Sequence, residues 1–134
     1  MTCFDIRVLF GFVLLGCTDP VVDDWNATSI EFEDSSENNV IPYSEEGITI
    51  FSKLELAIAS DLTGSFLLEG AYNSCENGCT TIISVQTDDS YEYTITSTED
   101  DSFSMDCIFA IPNLQNGLIC SYDELDIHFV RKQE

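Results

Sequence analysis

Positive charge is almost missing from this chain. Its 134 residues carry four lysines and arginines against 25 aspartates and glutamates, a formal net charge of −21. A nucleic-acid binder needs a basic footprint to displace counterions from phosphates, so that class is excluded. Docking on an anionic membrane through charge is excluded in the same way. No apolar run approaches the ~20 residues of a transmembrane helix. Histidine is nearly absent too: His128 is the single one, and any Ser-His-Asp arrangement would have to be built on it. It stands between Ile127 and Phe129, so alternation turns it outward as a surface residue rather than a catalytic base. No glycine-rich phosphate loop follows a strand and opens a helix. The acidic pairs Asp88-Asp89, Asp100-Asp101 and Asp123-Glu124 fall at hairpin tips, with no reason to converge in a cleft as a glycosidase pair must. No EF-hand-type loop is present. These absences predict a protein that is not an enzyme, with no catalytic residue, no cofactor and no metal site.

What is present suits one small domain. The composition is 44% apolar and 11% aromatic, enough for a single core and against disorder along the whole chain. The acidic excess fits turn residues and a soluble surface, or attraction to a basic partner.

Residues 1–16 differ from all that follows. Arg7 supplies a positive charge, residues 8–15 are apolar except Gly11, and Leu14-Leu15-Gly16-Cys17 ends the run. A basic start, a short apolar core and a small residue before the cut describe a secretory signal. The four closing residues resemble a bacterial lipobox, which implies that Cys17 is lipidated and becomes the first mature residue. The chain then divides into a lipoprotein signal peptide (1–16), a lipidated N-terminus and short tether (17–22), and a folded domain (23–134). The implied location is the bacterial cell envelope, anchored in the lipid bilayer through Cys17. Thr18 rather than aspartate after Cys17 resembles the sorting pattern for the outer membrane over the inner one.

Export changes the cysteine arithmetic. Cys75, Cys79, Cys107 and Cys120 remain in the folded part. An even number in an exported small domain implies two disulfides, in one of three pairings. A four-cysteine zinc site is the rival, but Cys107 and Cys120 lack a close pair to match Cys75-x3-Cys79.

Alternation dominates after residue 47. Ile48, Ile50, Leu54, Leu56 and Ile58 share one parity; Phe66, Leu68 and Tyr72 follow, then Ile83 and Val85. Tyr91, Tyr93 and Ile95 come next, then Phe103, Met105, Cys107, Phe109 and Ile111, then Leu118, Cys120 and Tyr122, and last Leu125, Ile127 and Phe129. Turn residues separate the runs. The pattern predicts an all-β, antiparallel, up-and-down meander. Opposed residues of an antiparallel pair share a face. A two-residue turn at Asp123-Glu124 sets Cys120 against Ile127; a turn at 112–115 sets Cys107 against Cys120; turns at 99–101 and 88–90 set Tyr93 against Cys107 and Val85 against Tyr93. Directly opposed cysteines are within disulfide reach, so Cys107–Cys120 is the preferred bridge and Cys75–Cys79 the second, with a bulge near Gly78 restoring the strand phase. Crossed pairings remain the alternative. Ahead of this, a first strand is expected near 24–33 with a bulge, then an acidic loop at 34–39. The alternative is an unstructured tether through residue 46.

Trp25-Asn-Ala-Thr-Ser-Ile-Glu-Phe, then Ile41-Pro42, then a meander reaching Phe129-Val130-Arg131, is similar to small bacterial lipocalin-like lipoproteins. The resemblance implies an eight-stranded up-and-down barrel that closes on itself, with an apolar interior sometimes hollow enough for one ligand. Inward aromatics at Trp25, Phe66, Tyr91, Tyr93, Phe103 and Phe109 are the candidate ligand-binding set. The expected function is an envelope-anchored, non-enzymatic lipoprotein that binds a small apolar ligand. The alternatives are an acidic interaction or inhibitor protein with a basic protein partner, or a structural lipoprotein with a filled core. Periplasmic lysozyme inhibitors are the precedent for a basic partner, but their Ser-Gly-x-x-Tyr loop motif is absent.

Overall fold

The computed structural model describes residues 19–34, 37–89, 91–99, 103–111 and 114–132. The expected signal peptide 1–16, the expected lipidation residue Cys17 and the expected turn residues Ser90, Asp100, Asp101, Pro112 and Asn113 lie outside them. The alternating runs become strands: β1 (Asp24–Phe32), β2 (Asn38–Val40), β3 (Tyr43–Glu45), β4 (Ile48–Phe51), β5 (Lys53–Ile58), β6 (Thr63–Gly70), β7 (Cys75–Asp89), β8 (Glu92–Ser97), β9 (Ser104–Phe109), β10 (Gly117–Tyr122) and β11 (Leu125–Arg131). Neighbours from β5 to β11 pair antiparallel in chain order, β5 pairs β1, and β1 pairs β11. The result is a closed, eight-stranded, antiparallel up-and-down barrel, which leaves the wall with no free edge.

Closure follows from where apolar side chains fall. Residues i and i+2 share a face, and β9 shows the consequence: Met105, Cys107 and Phe109 are buried while Ser104, Asp106 and Ile108 are exposed. Trp25, Phe66, Tyr93, Phe109 and Phe129 meet inside with Leu, Ile and Met from every wall strand. Each such side chain contributes about 1.5–3 kcal/mol when removed from water.

The registers of β8 through β11 follow the pattern: Tyr93 opposes Cys107, Cys107 opposes Cys120, and Cys120 opposes Ile127. The β7–β8 register does not. Val85 opposes Ile95, and Tyr93 opposes Thr87. With one extra residue on β7 between Thr87 and Asp89, the partner of Val85 moves two places, from Tyr93 to Ile95, so Val85, Tyr93 and Ile95 all still face inward.

β1 bulges between Ala27 and Ser29 against β11, which brings both Trp25 and Ile30 inside. Two sequence expectations fail nearby. Residues Asn38–Val40 form a strand, not a loop, because β1 leaves β5 after Asn26 and its freed edge takes β2. Ile48 and Ile50 do not share a face with Leu54. The phase flips at Ser52, whose hydroxyl donates to the Glu69 carbonyl at 3.1 Å, so Phe51 is buried and Ile48 exposed.

The two ends of the barrel therefore differ. At one, β1 and β5 splay, and the β3–β4 hairpin fills the gap, leaning on β6 through Ala71 N–H to Thr49 O at 3.0 Å. This is the flared end. At the other, residues 19–22 of the expected tether are docked as a plug. Val21 is fully buried. Its carbonyl accepts from the Trp25 indole N–H at 2.9 Å. Asp19 accepts from the Tyr93 hydroxyl at 2.7 Å. This is the closed end.

Candidate functional site

The flared end holds a groove of about 590 Å³. Its wall is assembled from three separate stretches: Phe32 at the end of β1, Tyr43 and Ile50 on the hairpin, and Tyr72 in the 3-10 turn after β6. The Phe32 and Tyr43 rings lie 5.7 Å apart, tilted at 57°. Tyr72 stacks on the buried Phe51 ring at 4.9 Å, which fixes it from behind. Asp34, Glu37 and Glu45 also line the groove, and among the described residues no lysine or arginine does.

Both phenols are engaged by carboxylates. The Tyr72 hydroxyl donates to Asp123 Oδ2 at 2.6 Å, and the Tyr43 hydroxyl donates to Glu45 Oε1. Burial, then the Asp123 carboxylate, pushes the Tyr72 phenol well above its ordinary value. The Tyr43 phenol is pushed up to about 12, chiefly by its hydrogen bond to Glu45, because the accepting carboxylate favours the protonated phenol. Glu45→Gln should return Tyr43 toward the ordinary phenol value of about 10. The difference in alkaline ultraviolet titration between each protein and its Tyr43→Phe counterpart reads this; an unchanged midpoint would remove Glu45 as the cause.

Aromatic faces beside anionic oxygens complement an organic cation. A guanidinium or ammonium can lie against a ring while donating to a carboxylate. The arrangement offers no nucleophile–base pair, and among the described residues no group of acids, histidines or cysteines is set to hold a metal.

The aromatics singled out in the sequence lie elsewhere. Trp25, Tyr93 and Phe109 form one buried cluster, with Phe109 6.2 Å from Trp25 and 5.7 Å edge-on to Tyr93. Phe66 packs with Phe103 and Tyr122 in a second. Tyr91 and Phe103 are half-buried against the core. A hollow able to hold even one water would leave accessible surface on the side chains around it; Trp25, Tyr93, Phe66 and Phe109 show 0–2%. These four are core. Phe32, Tyr43 and Tyr72 were missed as a set, since no local pattern joins them. Tyr43 and Tyr72 do sit where strands break, and aromatics at such positions are the signal that could have pointed to them.

Both disulfides take the pairings preferred from sequence. Cys107–Cys120 joins directly opposed residues with Cα atoms 4.0 Å apart. Cys75–Cys79 clamps the start of β7. There β7 advances four residues (75 to 79) against two on β6 (68 to 70), with Gly78 at φ +86°. His128 faces outward but is only partly exposed, its Nε2 buried without a hydrogen bond and 4.0 Å from Glu31.

A scan against protein-family models finds no match, and searches of curated proteins and of solved structures find no significant match either.

Proposed function

We propose that this chain is a non-enzymatic binding module with a lipocalin-like barrel, lipid-anchored to the bacterial envelope through Cys17, that takes a basic protein partner at its flared end. The observation that carries this reading is the groove walled by Phe32, Tyr43 and Tyr72 and lined, among the described residues, by three carboxylates and by no cation. A lysine or arginine side chain of the partner enters between ring and carboxylate. The rest of the acidic surface speeds encounter, while desolvated contacts in the groove hold the complex. Support for the lipocalin-like character comes from the two chain ends that carried the resemblance. They meet, with the Arg131 guanidinium 4.4 Å over the Trp25 ring. The reading with an apolar ligand inside the barrel draws no support from Trp25, Phe66, Tyr93 and Phe109, which already fill one another's space.

Calorimetric titration with lysozyme, as a small basic probe, tests the proposal. Saturable binding should weaken about tenfold between 50 and 200 mM salt, as expected for screened charges. Tyr43→Ala, which leaves net charge unchanged, should weaken it at least about tenfold, within the range of an interface aromatic. Binding that ignores Tyr43→Ala, or none to lysozyme or to a lysine-rich peptide, would remove the groove from the function.

A further inference from the structure

Four large apolar side chains stand exposed toward the closed end, on β9, β11 and the connection between β9 and β10. Ile108 (43%) and Val130 (40%) project from the outer faces of β9 and β11, and Ile111 (52%) and Leu114 (60%) flank the β9–β10 connection. Leu114 N–H and Gln115 N–H each donate to the Ile111 carbonyl at 3.0 Å. Val130 lies opposite Gly117 at the start of β10, and Ile108 lies between Ile119 on β10 and Glu92 on β8, where the apolar surface ends. In a chain of net charge −21, four exposed apolar side chains at one end, bounded by Glu92 and Asp106 beside Ile108, mark a surface, the collar, that meets something apolar.

What it meets follows from where the chain enters. Arg131 donates through Nη2 to the Pro20 carbonyl at 2.6 Å and through Nε to the Gln115 carbonyl at 2.9 Å. One guanidinium therefore ties the entering segment to the connection that carries Ile111 and Leu114. Thr18 alone separates Cys17 from the docked Asp19. Two residue steps span at most about 7 Å. A diacylglycerol on Cys17 cannot reach a bilayer unless the closed end lies against it.

We propose that Ile108, Ile111, Leu114 and Val130 form a bilayer contact. It seats the barrel closed end down on the membrane that the Cys17 acyl chains enter, and turns the flared groove away from the lipid. The inference rests on the lipoprotein reading of Cys17. The acyl chains supply affinity; the collar supplies orientation, as a second apolar signal beside a lipid anchor does. The fitting surface is zwitterionic, because an anionic one repels the acidic barrel.

The test uses the full lipidated protein in phosphatidylethanolamine–phosphatidylcholine vesicles with brominated acyl chains, which quench tryptophan on contact. Leu114→Trp places a reporter in the collar, and Ile48→Trp places one on the exposed hairpin of the flared end. Leu114→Trp emission should shift to the blue and lose at least about half its intensity to the bromines. Ile48→Trp should lose no more than the native Trp25 background. Mass spectrometry of the same preparation reads the lipid on Cys17. No lipid mass means that the anchor reading fails and this inference with it. Lipid present with Leu114→Trp unquenched, or both reporters quenched alike, overturns the orientation alone. A blue shift of Leu114→Trp in vesicle-free Cys17→Ala protein that grows with concentration assigns the collar to a second copy and also overturns it.

Discussion

Arg131→Ala should lower the unfolding free energy by about 3 kcal/mol, read from the urea midpoint at neutral pH. The guanidinium lies 4.4 Å over the Trp25 ring, pairs with Asp23 at 2.8 Å, and donates to the Pro20 and Gln115 carbonyls. Hydrogen bonds from a charged donor are worth about 1.5–3 kcal/mol each before discount, and a cation–π contact about 0.5–2. The Asp23 pair is partly exposed, so its share is small. Arg131→Lys keeps the charge but loses the planar fork, and should recover less than half of the loss. The hydrogen bond from Arg131 holds the Asp23 carboxyl below its ordinary value. Its contribution is therefore present above the unfolded value near pH 4 and is lost as pH falls through the lower folded value. In Arg131→Ala that acid-side loss should shrink. Equal stability of Arg131→Ala and the parent protein would show that the plug and the barrel end hold without this residue.

Gly70→Ala should cost more, about 4 kcal/mol, in the upper range for single substitutions. Gly70 sits at φ +144°, and a Cβ there would stand 2.1 Å from the Ile50 carbonyl oxygen and 2.9 Å from Phe51 Cα. Both are backbone atoms, so no side chain can turn aside. β4 must lift off β6, which unseats Phe51 and the Tyr72 ring stacked on it. Lysozyme binding should be lost even where the variant is still folded. Gly47 is the control: its φ is +82° but nothing lies within 4 Å of its Cβ position. Gly47→Ala should cost only about 1 kcal/mol of backbone strain. Similar losses in the two variants would mean that close approach at Gly70 is not what seats the hairpin.

The wall of the barrel was legible because its determinants are local. Strict alternation from Tyr91 to Phe129, with turn residues between runs, fixes which side chain faces in; one-residue errors would expose a whole strand. The Cys107–Cys120 bridge follows from counting across one turn. The failures have separate causes. At Ser52 the phase flips against Glu69, 17 residues on; at 87–89 β7 carries one residue more than β8; and β2 finds an edge only because β1 leaves β5 after Asn26. Residues 19–22 read as tether because they lie between Cys17 and the first expected strand. Their burial depends on Trp25, Tyr93 and Arg131 meeting them. The groove was illegible for the same reason: Phe32, Tyr43 and Tyr72 become neighbours only after β1 and β5 part.

Closure of the wall by β1 against β11 also sets the order of events during synthesis. Asp23 and Arg131 are 108 residues apart and hold one another in the finished barrel. The first strand thus carries an unmatched edge until the last one has been made, and pairings of such long span form late. A ribosome-bound chain therefore cannot complete this fold until β11 has emerged, and the wall gains its final shape only once the whole domain is free.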